Sequence, residues 1–138
     1  MLTEFRIDTR GPGLYEFTDE VVRWTAEANP DEALLTLFVR HTSCSLLVQE
    51  NADPDVQRDL AAFLGRLVPP ADHPSMSYLT HVLEGADDMP AHIKASLLPT
   101  SLSIPVRAGA PLLGTWQGIY LFEHRTRPHQ RRVAAMLR

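Results

Sequence analysis

Cysteine is nearly missing from this sequence: Cys44 is the only one among 138 residues. No intrachain disulfide can form, a four-cysteine zinc site is excluded within one chain, and a reducing compartment is expected. No apolar run approaches the roughly 20 residues that cross a bilayer as a helix. Residues 1–10 alternate polar and apolar side chains and carry Glu4, without the basic stretch and apolar stretch of an export signal. These absences predict a cytoplasmic protein with no membrane partner. Lysine is as scarce, with Lys94 alone, and 13 basic against 17 acidic residues leave a formal charge of −4. A general nucleic-acid surface needs an excess of cations, so no nucleic-acid partner is expected. Gly114 and Gly118 lead into no Gly-Lys-Ser/Thr phosphate loop, and there is no Gly-x-Gly-x-x-Gly run.

What is present suits a single domain over residues 1–138. Hydrophobic residues make up 44% and charged residues 22%, the balance of a folded globular chain, and a chain of this length buries roughly two-thirds of its unfolded surface. Residues 3–9 alternate as a strand that ends at Gly11-Pro12-Gly13, and residues 14–17 suit a short second strand. Thr18 is placed to cap a helix that Asn29-Pro30 stops. Residues 33–39 read as a strand; continued into His41, it would place Leu35, Leu37, Val39, His41 and Ser43 on one face. Asp53-Pro54 followed by Val56, Leu60, Phe63, Leu64 and Leu67 is the clearest helix, closed by Pro69-Pro70. Asp87 or Asp88 can cap a further helix through His92 to Leu98, with Pro90 in its first turn. Residues 101–106, 118–122 and 132–137 read as strands, the last at an edge, with Gly109-Ala110-Pro111 as a turn. The order predicts a compact α+β fold: an antiparallel or mixed β-sheet packed by two or three helices.

Three clusters carry candidate chemistry. His41-Thr42-Ser43-Cys44-Ser45 ends a hydrophobic strand, where a buried polar group needs a partner; the ordinary role of Cys44 there is a small buried hydrophobe. His81 and then His92, in the first turn of a helix that keeps imidazole neutral, offer metal nitrogens, and His41 would supply a third. Asp88 stands beside them to ligate, orient a histidine or meet a cationic substrate. The spacing matches no strong zinc motif, and capping acids with surface histidines are the plain alternative. Glu123 ends the strand after Gly114-Thr115-Trp116-Gln117-Gly118 as a candidate acid, base or cation partner, or as a residue of the solvated rim pairing with Arg125. Arg125, Arg127, Arg131 and Arg132 form a basic tail suited to phosphate, to acids of a neighbouring subunit or to solvation.

Taken together, His41-Thr42-Ser43-Cys44-Ser45, Glu50-Asn51-Ala52-Asp53, the stretch from Glu84 to Lys94 and Gly114-Thr115-Trp116-Gln117-Gly118-Ile119 resemble the YjbQ family, also called the secondary thiamine-phosphate synthase family. The resemblance implies an α+β subunit assembled as a homotrimer, with a pocket near the subunit boundary. It implies His41, His81 and His92 as metal-associated histidines, Asp88 and Glu123 as functional acids, and Cys44 and Asn51 as polar positions nearby. The implied activity joins a thiazole phosphate to hydroxymethylpyrimidine diphosphate, forming a carbon–nitrogen bond and releasing diphosphate. Arg125, Arg127, Arg131 and Arg132 would then meet substrate phosphates. Histidine ligands suit zinc, whereas magnesium would enter with the diphosphate. The alternatives are a metal-dependent hydrolase of a small metabolite and a non-enzymatic trimeric metal- or metabolite-binding protein.

Overall fold

In the computed structural model, which describes residues 1–138, the two ends of the chain meet in one sheet. Strand β1 (Leu2–Thr9) pairs antiparallel along its whole length with the last strand, β8 (His129–Leu137). Between them in sequence lie β2 (Gly13–Glu16), α1 (Thr18–Ala28), β3 (Glu32–Val39), β4 (Cys44–Glu50), α2 (Pro54–Leu67), α3 (Asp88–Leu97), β5 (Ser101–Arg107), β6 (Ala110–Pro111) and β7 (Gln117–Glu123). The expected α+β class holds, but the strands form two antiparallel sheets rather than one: β1-β8-β3-β5-β6 and β2-β7-β4.

Local chemistry accounts for several element boundaries. Asp53 caps α2 through a hydrogen bond from the Asp55 backbone N–H at 2.9 Å, and Pro54 opens the helix where its missing N–H costs nothing. Asn29 ends α1 in the left-handed conformation at φ 43°, which asparagine tolerates. Thr18 is not the expected cap: its hydroxyl donates to Glu16 Oε2 and accepts from the Ile119 N–H, tying the helix start to β7. Asp87 sits at the cap position of α3 without capping it, because its carboxylate is taken by Arg125 and Thr126.

The expected continuation of β3 into His41 is corrected. The strand ends at Val39, residues 40–43 turn, and β4 starts in the other sheet at Cys44. That turn joins the sheets, so the face shared by Leu35, Leu37 and Val39 does not continue through His41. The expected edge position of the final strand is also corrected, since β8 lies between β1 and β3. Alternation along residues 131–137 reflects one buried face, a pattern that a central strand of a half-covered sheet shares with an edge strand.

One cluster of buried apolar side chains joins both sheets: Leu35, Leu37 and Val39 from β3, Cys44 and Leu46 from β4, Ile119 and Leu121 from β7, and Val133 and Ala135 from β8. Strand β7 is buried on both faces, and Gln57 of α2 donates to the Tyr120 hydroxyl at 3.0 Å. Helix α2 covers less than its pattern suggests, because Phe63 and Leu67 remain exposed.

Candidate functional site

Helix α3 places Asp88 and His92 one turn apart on the same face. The loop before it carries His81 back over that face. Asp88 Oδ2 lies 2.6 Å from His81 Nε2 and 3.1 Å from His92 Nε2. The three potential ligand atoms lie within 4.8 Å of one another. Asp88 is buried, His92 half-buried and His81 exposed, so the cluster opens toward solvent on the His81 side.

The surrounding contacts orient this group. His92 Nδ1 lies 2.9 Å from the Thr42 carbonyl oxygen; a carbonyl only accepts, so Nδ1 carries the proton. In the neutral ring, Nε2 then presents a lone pair to a carboxylate oxygen. Two acceptors face each other, and only a proton or a cation between them makes the contact favourable. The donor set therefore fits a divalent ion of the zinc type, with two imidazole nitrogens and one carboxylate oxygen; magnesium prefers an oxygen shell. On the far side of the carboxylate, Arg125 Nη1 donates to Asp88 Oδ1 while its Nε donates to Asp87 Oδ2 at 2.8 Å.

Electrostatics keep both acids ionised. Burial raises the Asp88 carboxyl, but the His81 hydrogen bond and the Arg125 charge outweigh it and hold the group below the ordinary carboxylate range. Burial likewise opposes ionisation of Asp87, yet the Thr126 N–H and Arg125 bring it down to about 2.

His41 stands apart from the three-residue group. It lines a cavity of about 230 Å³ with Thr42, His92, Ala95, Ser96 and Thr100, while its Nε2 accepts the Arg132 backbone N–H at 2.8 Å. Burial, followed by the Arg131 charge, lowers its pKa. Of the expected histidines, the structure thus gathers His81 and His92 around Asp88 and leaves His41 on the adjoining cavity wall.

Glu123 is not at a solvated rim; it is fully buried. Its Oε1 accepts from Thr9 Oγ1 at 2.6 Å and Arg131 Nε at 2.8 Å, and its Oε2 accepts from Arg131 Nη2 and the His124 N–H. Arg131 also donates to Ser43 Oγ at 2.9 Å. Burial raises the Glu123 carboxyl, but Arg131 outweighs it and keeps the group ionised. The expected Glu123–Arg125 pair is replaced by Glu123–Arg131 inside the fold and by Arg125 with Asp87 and Asp88 outside it.

The other candidates scatter. Arg127 is exposed, makes no ion pair, and lines a cavity of about 600 Å³ with Glu84, Asp87 and Arg125. Arg132 is exposed and lies 3.9 Å from Glu4. Cys44 is buried, its thiol pushed up to about 12 by desolvation. Asn51 follows the opposite end of β4 and donates to Glu16 Oε2 at 3.3 Å, so it shares no site with Cys44 within one chain. At Gly118 an added Cβ would come 2.5 Å from Glu16 Oε2 and 3.1 Å from the Asn51 Cβ, which explains the bare backbone there. Sequence reasoning missed the Thr42 carbonyl and Asp87 as the groups that hold His92 and Arg125, because neither contact has a local signature.

A two-sheet α+β domain with a two-histidine, one-carboxylate cluster at a loop–helix junction is the class that fold and site define. The family model described as UPF0047 protein YjbQ-like matches residues 3–137, and the chain belongs to that family. A UPF0047 protein of Synechocystis is 50% identical over 92% of this chain and 84% of its own length. UPF0047 protein YjbQ of Escherichia coli O157:H7 is 42% identical over 95% of this chain and 92% of its own. A crystal structure of a YjbQ/UPF0047-family protein from Clostridium acetobutylicum superposes with a TM-score of 0.85 at 31% identity, covering 99% of both chains. No helix is long and apolar enough to cross a membrane.

Proposed function

We propose that this chain is a metal-dependent enzyme acting on a small phosphorylated metabolite, working as a cytoplasmic homotrimer. The observation that carries it is the convergence of His81 Nε2 and His92 Nε2 on one oxygen of the buried Asp88. Three protein ligands with an exposed side is the pattern of catalytic zinc sites, which keep a position open for water or substrate. A divalent ion there supplies Lewis-acid charge against developing negative charge on a phosphate or carbonyl oxygen.

Within that class, the family resemblance points to thiamine-phosphate synthesis. The thiazole nitrogen attacks the pyrimidine methylene, a carbon–nitrogen bond forms, and the carbon–oxygen bond to diphosphate breaks. Asp88 organises the two histidines, and Arg125 holds Asp88 in place. Arg127, free of ion pairs beside the 600 Å³ cavity, is the arginine best placed for a substrate phosphate. Glu123 has both oxygens filled by internal donors; it acts through Arg131 as a positioning residue rather than as a proton carrier.

One observation favours hydrolysis as the second reading: Arg125 and Arg131 are already neutralised by Asp87, Asp88 and Glu123, which leaves few cations for two phosphorylated substrates. The deciding experiment loads purified protein with zinc, measures bound metal, and supplies both phosphorylated substrates, following thiamine phosphate by mass and diphosphate release in parallel. Coupled formation of both products, lost in His81→Asn, is the expected result. Release of inorganic phosphate from single substrates would move the assignment to hydrolysis. Retained metal without turnover on any candidate would leave a binding protein.

A further inference from the structure

Between the 3₁₀ turn Pro74–Met76 and α3 the chain crosses the surface without helix or strand. Every residue from Thr80 to Ala86 is exposed, Leu83 almost completely, and none of their backbone N–H groups donates a hydrogen bond within the chain. A stretch with so few buried contacts and internal bonds sits at the low end of local stability. Its base is nonetheless closed: the Ala71 N–H donates to the Ala86 carbonyl at 2.8 Å, and the Leu79 N–H to the Met76 carbonyl at 3.1 Å. At Gly85, φ is 103°, a conformation that glycine takes freely and an L side chain does not. The segment thus has a fixed base, a bend just before α3 and an exposed middle.

The polar contacts that hold the middle converge on one residue. His81 Nε2 lies 2.6 Å from Asp88 Oδ2. The Gly85 carbonyl accepts from the Asp88 N–H at 3.4 Å, and the Glu84 carbonyl accepts at 3.4 Å from Nη2 of Arg125, the residue that pins Asp88. Two of these three are long for hydrogen bonds, so the His81 side chain makes the one short tie. The same segment is also a wall: Leu83, Glu84 and Gly85 line the cavity of about 600 Å³ together with Arg125, Thr126 and Arg127. A contact inside the histidine–carboxylate cluster therefore sets where one side of that cavity stands.

We propose that residues 79–86 are a strap latched by the metal ion: it closes beside the Arg127 cavity when His81 joins Asp88 and His92 as a ligand, and it swings free when the ion leaves. The inference rests on the metal reading above and adds a division of labour to it. Asp88 and His92 sit on a helix and stay in place, whereas His81 arrives on the strap. An exposed imidazole–carboxylate contact is weak on its own. An ion that takes His81 into its shell prefers the closed strap and shifts the population toward it. Metal loading then sets access to the cavity that Arg127 lines.

The test is limited proteolysis of the full-length protein by chymotrypsin, with zinc alone as the probe and bound zinc measured in parallel. Exposed Tyr78 and Leu83 are cleavage sites at and within the strap, and exposed Trp116, at the end of β7 away from Arg125, is the internal control. Cleavage that needs the strap to open tracks the open population. Saturating zinc should therefore slow it by about tenfold to a hundredfold, while cutting at Trp116 keeps its rate. In His81→Asn, a change at an exposed position, zinc should give no protection. Zinc that binds without slowing strap cleavage overturns the strap and leaves the metal reading standing; a chain that binds no zinc overturns both. Protection that persists in His81→Asn overturns the latch, as does a strap that resists the protease before zinc is added or equal slowing at Trp116.

Discussion

Two carboxylate–arginine pairs lie close together in this molecule and have been put to opposite uses. Glu123 and Arg131 are both sealed inside, and every oxygen of the carboxylate meets an internal donor. Asp88 is equally buried, but only one of its oxygens is given to Arg125; the other faces two histidines that reach toward solvent. The paired groups, carboxylate and guanidinium, are the same, yet one pair is closed and structural while the other is open on one side and able to take a ligand. What separates them is the number of donors already satisfied and whether the remaining face meets water.

Breaking the closed pair should have the largest effect. Glu123→Gln leaves the Arg131 guanidinium buried without a counter-charge, and such a loss costs about 3–5 kcal/mol. Urea unfolding followed by circular dichroism should show that drop, while a solvated, loosely held Glu123 would give less than about 1 kcal/mol.

Acid should expose a second cost of the closed region. Desolvation holds His124 down to about 3 from an ordinary 6.5, so the unfolded chain binds a proton that the folded chain refuses. Stability is then fully present above pH 6.5 and falls as pH drops from there toward about 3, by up to about 1.4 kcal/mol per pH unit. Glu123, depressed by Arg131, adds a loss in the same direction at the acid end. Unfolding midpoints measured across this range should fall less steeply in His124→Gln than in the wild type; parallel curves would show that the buried imidazole is not the cause.

The open pair should respond in ligand affinity more than in folding. Arg125→Gln removes the group that fixes Asp88, and loss of such a supporting contact lowers metal affinity by about 10–100-fold. Competition with a zinc chelator measures this, with unfolding run alongside; unchanged affinity would mean that Asp88 needs no support. The smallest effect belongs to Cys44. With its thiol near 12 and its side chain buried, it should resist maleimide at pH 8 until the protein is unfolded, and Cys44→Ala should keep full activity in whichever assay shows turnover. Rapid labelling of the native protein would put the thiol at an accessible surface.

The sequence made the short-range elements readable and hid the long-range ones. Asp53-Pro54 announced α2, and the alternation in residues 3–9 announced β1, because cap, first turn and strand pattern are written in neighbouring residues. The pairing of Asp88 with His92 was legible for the same reason, since one helical turn separates them. Nothing local could show that Thr9, 114 residues away, donates to Glu123, or that the Thr42 carbonyl holds His92 across 50 residues. Glu123 was misjudged as a rim residue because alternation tells which face a side chain takes, not whether another layer covers that face. Here the layer comes from β8 and the turn before β4.

The position of β8 has a consequence for how the molecule is made. This strand leaves the ribosome after β1, β3 and β5 have all emerged, yet it is the piece that sits between β1 and β3. Until it arrives, β1 lacks its sheet neighbour and one side of β3 presents unpaired backbone N–H and C=O groups, the kind of border on which strands from different nascent chains join. Arg131 travels on the same late segment, so Glu123 is translated with its buried carboxylate still awaiting the charge that neutralises it. The segment that carries β8 must therefore be made before the larger sheet and the innermost ion pair can form, and they form together.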